Sequence, residues 1–214
     1  MYYKRSLEKK VIELAKHFPV VLVCGARQVG KTTLLKKVAE DNGQIQYVTL
    51  DHPRIKELAK TDPELFLQQY AAPVIIDEIQ YAPELLPFIK IKADEQKQNG
   101  KYYLTGSQMF NVMNNVSESL AGRVGILSMY SMSRSEIEGK EDVPFNPSTI
   151  KNCDSDDSIS EIFDKILKGG MPQLISDPEL SYEDYYGSYV QTYIERDIRD
   201  LINIKNESKF TKFI

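Results

Sequence analysis

The chain has no tryptophan and only two cysteines, Cys24 and Cys153, in its 214 residues. Two lone cysteines far apart exclude a disulfide-stapled scaffold. Cys24 ends an apolar stretch and reads as a buried, inert thiol. No apolar run is long enough to cross a bilayer. Met1 to Lys10 carries basic residues, but no apolar stretch of signal-peptide length follows them. The expectation is therefore a cytoplasmic chain with no membrane partner. An excess of positive charge is missing as well, since 27 Lys and Arg against 31 Asp and Glu leave a net charge of -4. That argues against a broadly basic nucleic-acid surface, while leaving room for a local patch. Lys4, Arg5, Lys9 and Lys10 cluster near the N-terminus, interrupted by Glu8, and read as a solvated helix face. What remains is a globular balance, with 42% apolar and 27% charged residues and 13 tyrosines. The length suits one sizeable domain, or one domain and a small appendage.

The densest local signal is Gly25-Ala26-Arg27-Gln28-Val29-Gly30-Lys31-Thr32, which fits the pattern Gly-x-x-x-x-Gly-Lys-Thr without a mismatch. Pro19 to Cys24 before it is short, apolar and β-branched, as a buried strand would be. Thr33, Leu34, Leu35, Lys36, Lys37, Val38 and Ala39 after it carry a helical apolar spacing. Strand, glycine loop and helix together form the context of a phosphate-binding loop. Backbone N–H groups of residues 26 to 32 and the open helix end form a concave donor site for phosphates. Gly25 and Gly30 allow a tight turn and a close approach. Lys31 supplies a point charge near the β- and γ-phosphates, and the Thr32 hydroxyl is a ligand for Mg²⁺.

A second apolar run, Pro73-Val74-Ile75-Ile76, ends in Asp77-Glu78. Acids at the C-terminal edge of a buried strand belong in the crevice where open α/β sheets bind ligands. Asp77 is the companion of Thr32 at the metal, and Glu78 can polarise a water that attacks the γ-phosphate. The plainer alternative for the acid pair is a helix cap or a solvated turn. Lys101 to Gln108 is a third strand with polar residues at its end. Ser107 or Gln108 can orient the attacking water; turn formation and helix capping explain them equally well.

Gln44 to Leu50 and Val124 to Met129 complete five expected strands. Helices are expected over Glu84 to Gln98, with Leu85, Leu86, Ile89 and Ile91 on one side, and over Asn111 to Leu120. This alternation predicts a three-layer α/β sandwich with a mainly parallel sheet over residues 1–140. Residues 141–157, polar and proline-containing, read as a linker. Ser158-Ile159-Ser160-Glu161 has capping-box spacing and opens a helix to about Lys168, which Gly169-Gly170-Met171-Pro172 stops. A last helix is expected from about Tyr182 to Asn203, with Glu195–Arg199 and Arg196–Asp200 as i,i+4 pairs. Residues 158–214 therefore form a small helical lid and the start of a further region.

The guanine-reading tetrad Asn-Lys-x-Asp is absent, so ATP is preferred by elimination. Arginine is the natural reagent for charge building on a transferred phosphoryl group. Arg123, in Ser119-Leu120-Ala121-Gly122-Arg123, is the first candidate, beside the site or at a subunit edge; Arg196 reads better as salt-bridged.

These motifs resemble the bacterial and archaeal AAA+-type ATPases of the AAA_14 group. The match rests on Gly25 to Thr32, Ile76-Asp77-Glu78-Ile79-Gln80, Leu104-Thr105-Gly106-Ser107 and Ser117 to Arg123. It continues through Gly169 to Pro172 and Tyr193 to Ile198. The resemblance implies a P-loop NTPase fold, with Lys31 and Thr32 in Walker A, Asp77 and Glu78 in Walker B and Thr105 to Ser107 in the sensor strand. It also implies Arg123 near the nucleotide or a neighbouring subunit. Such proteins are typically longer and joined to a C-terminal DUF4143 domain often likened to restriction endonucleases, so the chain reads as truncated after its ATPase region.

The leading expectation is Mg²⁺-dependent ATP hydrolysis, with Gly25, Ala26, Arg27, Gln28, Val29, Gly30, Lys31, Thr32 and Thr33 holding the nucleotide. Thr32 and Asp77 hold the metal, and Lys31, Glu78, Ser107 and Arg123 act on the reaction. A nucleotide-gated module with little intrinsic hydrolysis is the alternative. A homo-oligomer and a DNA or protein target remain open as partners. A small-molecule kinase is the weaker third reading, resting on Asp51-His52-Pro53, where Asp51 is better read as a strand-end turn former.

Overall fold

The computed structural model describes residues 2–43, 45–107, 116, 118–140 and 157–193. The chain divides into two compact units, Met1–Asn146 and Pro147–Ile214.

In the first unit, helix α1 (Leu7–His17) leads into β1 (Val20–Cys24), then α2 (Lys31–Asn42), β2 (Gln46–Thr49), α3 (Pro53–Thr61) and α4 (Pro63–Gln69). There follow β3 (Val74–Asp77), a 3₁₀ turn at Ile79–Tyr81, α5 (Leu85–Gln96), β4 (Tyr102–Gly106), β5 (Val124–Ser128) and the short α6 (Arg134–Ile137). The strands make one five-stranded sheet in the order β2-β3-β4-β1-β5, and every pairing is parallel. This is a P-loop NTPase-like α/β fold. All five expected strands form, each within a few residues of the expected ends.

The order explains the sequence pattern. β1 sits between β4 and β5 and is buried at every residue, so it reads as an unbroken apolar run rather than an alternating one. β4 is likewise buried throughout, between β1 and β3. One apolar cluster, including Leu22, Leu50, Phe66, Ile76, Ile79, Leu85, Ile89 and Leu104, joins strands to the helices on one side. In α5, Leu85, Leu86, Ile89 and Ala93 are buried, but Ile91 is exposed. Six positions on from Leu85 is about 240° further round the helix, which takes Ile91 away from the sheet. Asp62 caps α4 by accepting the Leu65 N–H at 2.9 Å.

The second unit contains α7 (Ile159–Lys168), α8 (Pro172–Ser176) and α9 (Tyr182–Tyr193). The capping box is present, with Ser158 Oγ accepting from Glu161 N at 3.3 Å and Glu161 Oε2 accepting from Ser158 N at 2.6 Å. Gly169, at φ +65°, ends the helix, and the Tyr186 hydroxyl donates to Lys168 O at 3.1 Å. Ile159, Phe163, Ile166 and Leu167 of α7 are exposed. The expected helix over Asn111 to Leu120 lies largely outside the described residues, and so does the last helix beyond Tyr193. Of the expected linker, only Asp157 is described. Among the described residues no helix is long and apolar enough to cross a membrane.

Candidate functional site

Parallel strands bring all their C-terminal ends to one edge, and here β1, β3 and β4 end side by side with Cys24, Asp77 and Gly106. Gly25 begins the loop in a slot between β4 and β5. Its N–H donates to Gly106 O at 3.3 Å, and a Cβ placed on it would lie 2.1 Å from Met129 O. Only glycine fits, and the reason is the packed backbone of the neighbouring strand's exit. Gln28 and Gly30 are both left-handed, at φ 62° and 98°. Alternation of that kind turns successive N–H groups toward one concavity. α2 begins at Lys31, with Leu34 N donating to Gly30 O at 2.9 Å. Ala26 and Gln28 are exposed, Arg27 half-buried, Val29 buried and Thr33 exposed on the first turn of α2.

Lys31 is 5% exposed, and its Nζ donates to Gly25 O at 3.0 Å and to Ala26 O at 2.7 Å. Burial pushes its ammonium below the ordinary lysine value, opposed by the negative charges of Glu78 and Asp77. Asp77 is the centre of a hydroxyl cluster. Its Oδ1 accepts from Thr32 Oγ1 at 2.7 Å and from Thr105 Oγ1 at 2.6 Å, and its Oδ2 accepts from the Tyr47 hydroxyl at 3.0 Å. Burial and Asp77 push the Tyr47 phenol up to about 12. The Lys36 ammonium lies 3.6 Å from the Tyr47 ring centroid.

Glu78 leaves the strand in the left-handed conformation, φ 60° and ψ 50°, which is uncommon outside glycine. Its backbone N–H donates to Thr105 Oγ1 at 2.9 Å, so the Thr105 hydroxyl joins the two acids. The Glu78 carboxylate accepts from Ser107 Oγ at 2.9 Å and from Gln80 Nε2, and Gln80 Nε2 also lies 3.0 Å from Ser107 Oγ. Among the described residues no group of three or more His, Cys, Asp or Glu is gathered to hold a metal.

The structure thus brings together the loop residues 25–33, Asp77, Glu78 and Ser107. It does not bring Arg123 to them. Arg123 precedes β5 at the N-terminal edge of the sheet, where its O accepts from Val20 N at 3.2 Å. The five-residue β1 separates that edge from the loop, about 16 Å at ~3.3 Å per residue. Its guanidinium instead grips Asp94 on α5, Nε to Oδ1 at 2.5 Å and NH2 to Oδ2 at 2.9 Å. The expectation of Arg123 beside the site is corrected accordingly: sequence order places it just before a strand, and strand direction puts that end on the far side. Gln108 and Arg196 lie outside the described residues.

Three contributors went unread in the sequence. Tyr47 and Gln80 carry no local signature of their contacts with Asp77 and Glu78. Arg5, expected on a solvated face, is buried at 6% exposure and reaches Val29 O, Tyr130 O and Glu136. Those partners lie 24 to 131 positions away, so spacing could not reveal them.

Comparison with known proteins identifies the family. A family model described as AAA domain (AAA_14) matches residues 17–138, more than half of the chain. Residues 159–214 match a domain of unknown function, DUF8612. This overturns the expected association with DUF4143: the Gly169 to Pro172 and Tyr193 to Ile198 segments, taken as part of one resemblance, belong to a different domain model. The uncharacterized proteins Rv2008c of Mycobacterium tuberculosis and Mb2031c of Mycobacterium bovis are each 29% identical over 187 residues, covering 86% of this chain. The match spans only 37% of the length of those curated relatives. Among solved structures, a Walker-type ATPase of Pyrococcus abyssi aligns with TM-score 0.47 and 21% identity, over 67% of this chain and 60% of the other. Domain III of the Thermotoga maritima replication initiation protein DnaA aligns with TM-score 0.44 and 16% identity, over 62% and 64%. On the strength of the 17–138 match, which takes in the loop, both acids and β4, the chain belongs to the AAA_14 family of AAA-domain proteins.

Proposed function

We propose that this chain binds Mg·ATP at the Gly25 to Thr33 loop and hydrolyses it to ADP and phosphate. The observation that carries the reading is the meeting of the Thr32 hydroxyl with the Asp77 carboxylate at 2.7 Å, with Glu78 the next residue along. Hydroxyl and carboxylate are hard oxygen donors of the kind Mg²⁺ takes, and one or two of them suffice when phosphates complete the shell. Bound there, the metal would neutralise charge on the β- and γ-phosphates.

The protein's own groups divide the remaining work. Backbone N–H groups of residues 26 to 32 and the start of α2 orient the phosphate chain. The Lys31 ammonium, now on two loop carbonyls, has a better partner in a phosphate oxygen, and that exchange raises its depressed proton affinity. Glu78 takes a proton from the attacking water as the oxygen bonds to the γ-phosphorus and the bond to the ADP oxygen breaks. Ser107 orients the same water or the Glu78 carboxylate. ATP is preferred over GTP because the guanine tetrad is missing from the sequence.

One observation favours the second reading, a nucleotide-gated module with slow hydrolysis. Glu78 Oε2 already accepts from Ser107 and Gln80, so that oxygen must shed a donor before it can take a proton. Phosphate release by wild type and by Glu78→Gln separates the two. Under hydrolysis, the variant keeps Mg·ATP and loses nearly all turnover, about 10²–10⁴-fold for a positioned general base. Equal turnover would remove Glu78 from the reaction. Persistent tight Mg·ATP binding by Lys31→Ala would remove the loop. Wild-type turnover measured against protein concentration and added DNA tests for a homo-oligomer and a DNA target.

A further inference from the structure

Five polar or charged residues are buried in the described chain: Arg5, Lys31, Asp77, Thr105 and Glu136. Three of them make up the loop and acid site. The other two, Arg5 and Glu136, form an ion pair at 3.0 Å with only 6% and 8% exposure. Nothing in the proposed chemistry uses that pair, yet a buried pair of charges is costly unless further hydrogen bonds satisfy it. The additional bonds are present, and one of them reaches the phosphate loop. Arg5 NH1 donates to Val29 O at 2.7 Å, and NH2 donates to Tyr130 O at 2.9 Å. Glu136 Oε1 accepts from Ser6 N at 2.8 Å and Oε2 from Ser133 N at 2.9 Å.

Val29 is the residue before Gly30, and the cis peptide of the described chain is elsewhere, at Ala72-Pro73. In a trans peptide the C=O and the following N–H point in opposite directions. Holding Val29 C=O against the Arg5 guanidinium therefore aims the Gly30 N–H away from Arg5. That is the direction in which a phosphate-loop N–H is useful. The peptide benefits from such a hold, because the loop places Gln28, a residue with a Cβ, in a left-handed conformation that persists only where the surroundings over-determine it, while Gly30 adopts its own freely. Arg5 NH1 also lies 3.6 Å from where a Gly30 Cβ would stand, so the guanidinium closes off the back of the loop.

We propose that Arg5 is a positioning residue for the phosphate loop: clamped by Glu136 and Tyr130, it fixes the Val29–Gly30 peptide and so presets a donor for the β-phosphate. This deepens the nucleotide-site reading above and rests on it. The planar guanidinium suits the task, since it serves two carbonyls and a carboxylate from fixed directions, which a lysine ammonium on a single stem does not.

The test compares the full chain as wild type, Arg5→Lys and Arg5→Met. Mg·ADP affinity is read by calorimetry, folding by thermal melting, and the Gly30 amide by ¹H–¹⁵N spectroscopy without nucleotide. Arg5→Met is expected to bind Mg·ADP about tenfold or more weakly, the loss of one charge-assisted hydrogen bond. Arg5→Lys restores the charge opposite Glu136, and with it much of the melting temperature, but leaves affinity low and the Gly30 amide shifted. A purely structural arginine gives the other pattern: Lys restores affinity in step with stability, and the Gly30 resonance stays put. That pattern, or wild-type affinity in folded Arg5→Met, overturns the assignment. Failure of wild type itself to bind Mg·ADP would sink the nucleotide reading, and the Arg5 role with it. The two failures are distinct because in the first the wild type binds.

Discussion

Replacing Thr105 by valine should damage the site more than its modest change of shape suggests. The Thr105 hydroxyl is fully buried, donates to Asp77 Oδ1 at 2.6 Å and accepts the Glu78 N–H at 2.9 Å. Valine keeps the volume and removes both bonds. Losing a hydrogen bond to a charged carboxylate costs about 1.5–3 kcal/mol, and stranding a backbone N–H costs about 1–3 kcal/mol more. Glu78 is only half-buried, so water can partly satisfy its N–H, and the net expectation is roughly 3 kcal/mol. Thr105→Ser provides the contrast. It retains the hydroxyl and loses one methyl, worth about 1 kcal/mol with its small cavity. Urea unfolding followed by far-UV circular dichroism suits a chain without tryptophan. With a slope of about 2 kcal/mol/M, the midpoint should fall by roughly 1.5 M for valine and 0.5 M for serine. Valine should also depress phosphate release beyond its effect on folding, because Glu78 loses the bond that ties its left-handed backbone beside Asp77. If valine is no more destabilising than serine, the hydroxyl does not link the two acids and the account of the site fails.

Glycine positions offer a second check. Gly25→Ala drives a Cβ to 2.1 Å from Met129 O at φ +152°, whereas Gly139→Ala meets nothing within 4 Å at φ +67°. The first should cost about 3 kcal/mol or more and the second only about 1 kcal/mol; similar denaturation midpoints for the two would refute the packing argument. Acid stability tests the Arg5–Glu136 pair. Burial alone would raise the Glu136 carboxyl, but the Ser133 and Ser6 N–H groups and Arg5 together hold it below the ordinary 4.5. Its contribution is therefore present above 4.5 and lost as pH falls through the lower folded value. Glu136→Gln should destabilise the chain near neutral pH and flatten the acid limb of the stability curve; parallel wild-type and variant curves would contradict the shift. Lys31 behaves with the opposite sign. Because burial lowers its folded value, Mg·ADP affinity should fall on the alkaline side before the ordinary 10.5 is reached, and a flat calorimetric profile there would count against a phosphate contact.

Much of this architecture was legible because its signals are local. A buried parallel strand must be apolar throughout, so Val20 to Cys24, Val74 to Ile76 and Tyr102 to Leu104 announce themselves. A phosphate loop needs glycines at fixed offsets, and a capping box needs Ser158 and Glu161 three residues apart. Asp77 and Glu78 were readable because a strand that ends in acids delivers them to the sheet edge. The family resemblance for the first unit rested on the same compact motifs. It failed for the second, where residues 159–214 match DUF8612.

The sequence by itself determined which residues form the strands, the loop and the two acids, since each is encoded within a handful of neighbouring positions. Tertiary structure alone decided what those residues touch. Strand order set Thr105 between Asp77 and Glu78, and strand direction carried Arg123 to the opposite edge, paired with Asp94. It also drew Arg5 from an apparently solvated charge cluster into the back of the phosphate loop. Contacts across 24 to 131 residues depend on how the sheet is wound, and no periodicity or spacing along the chain records them.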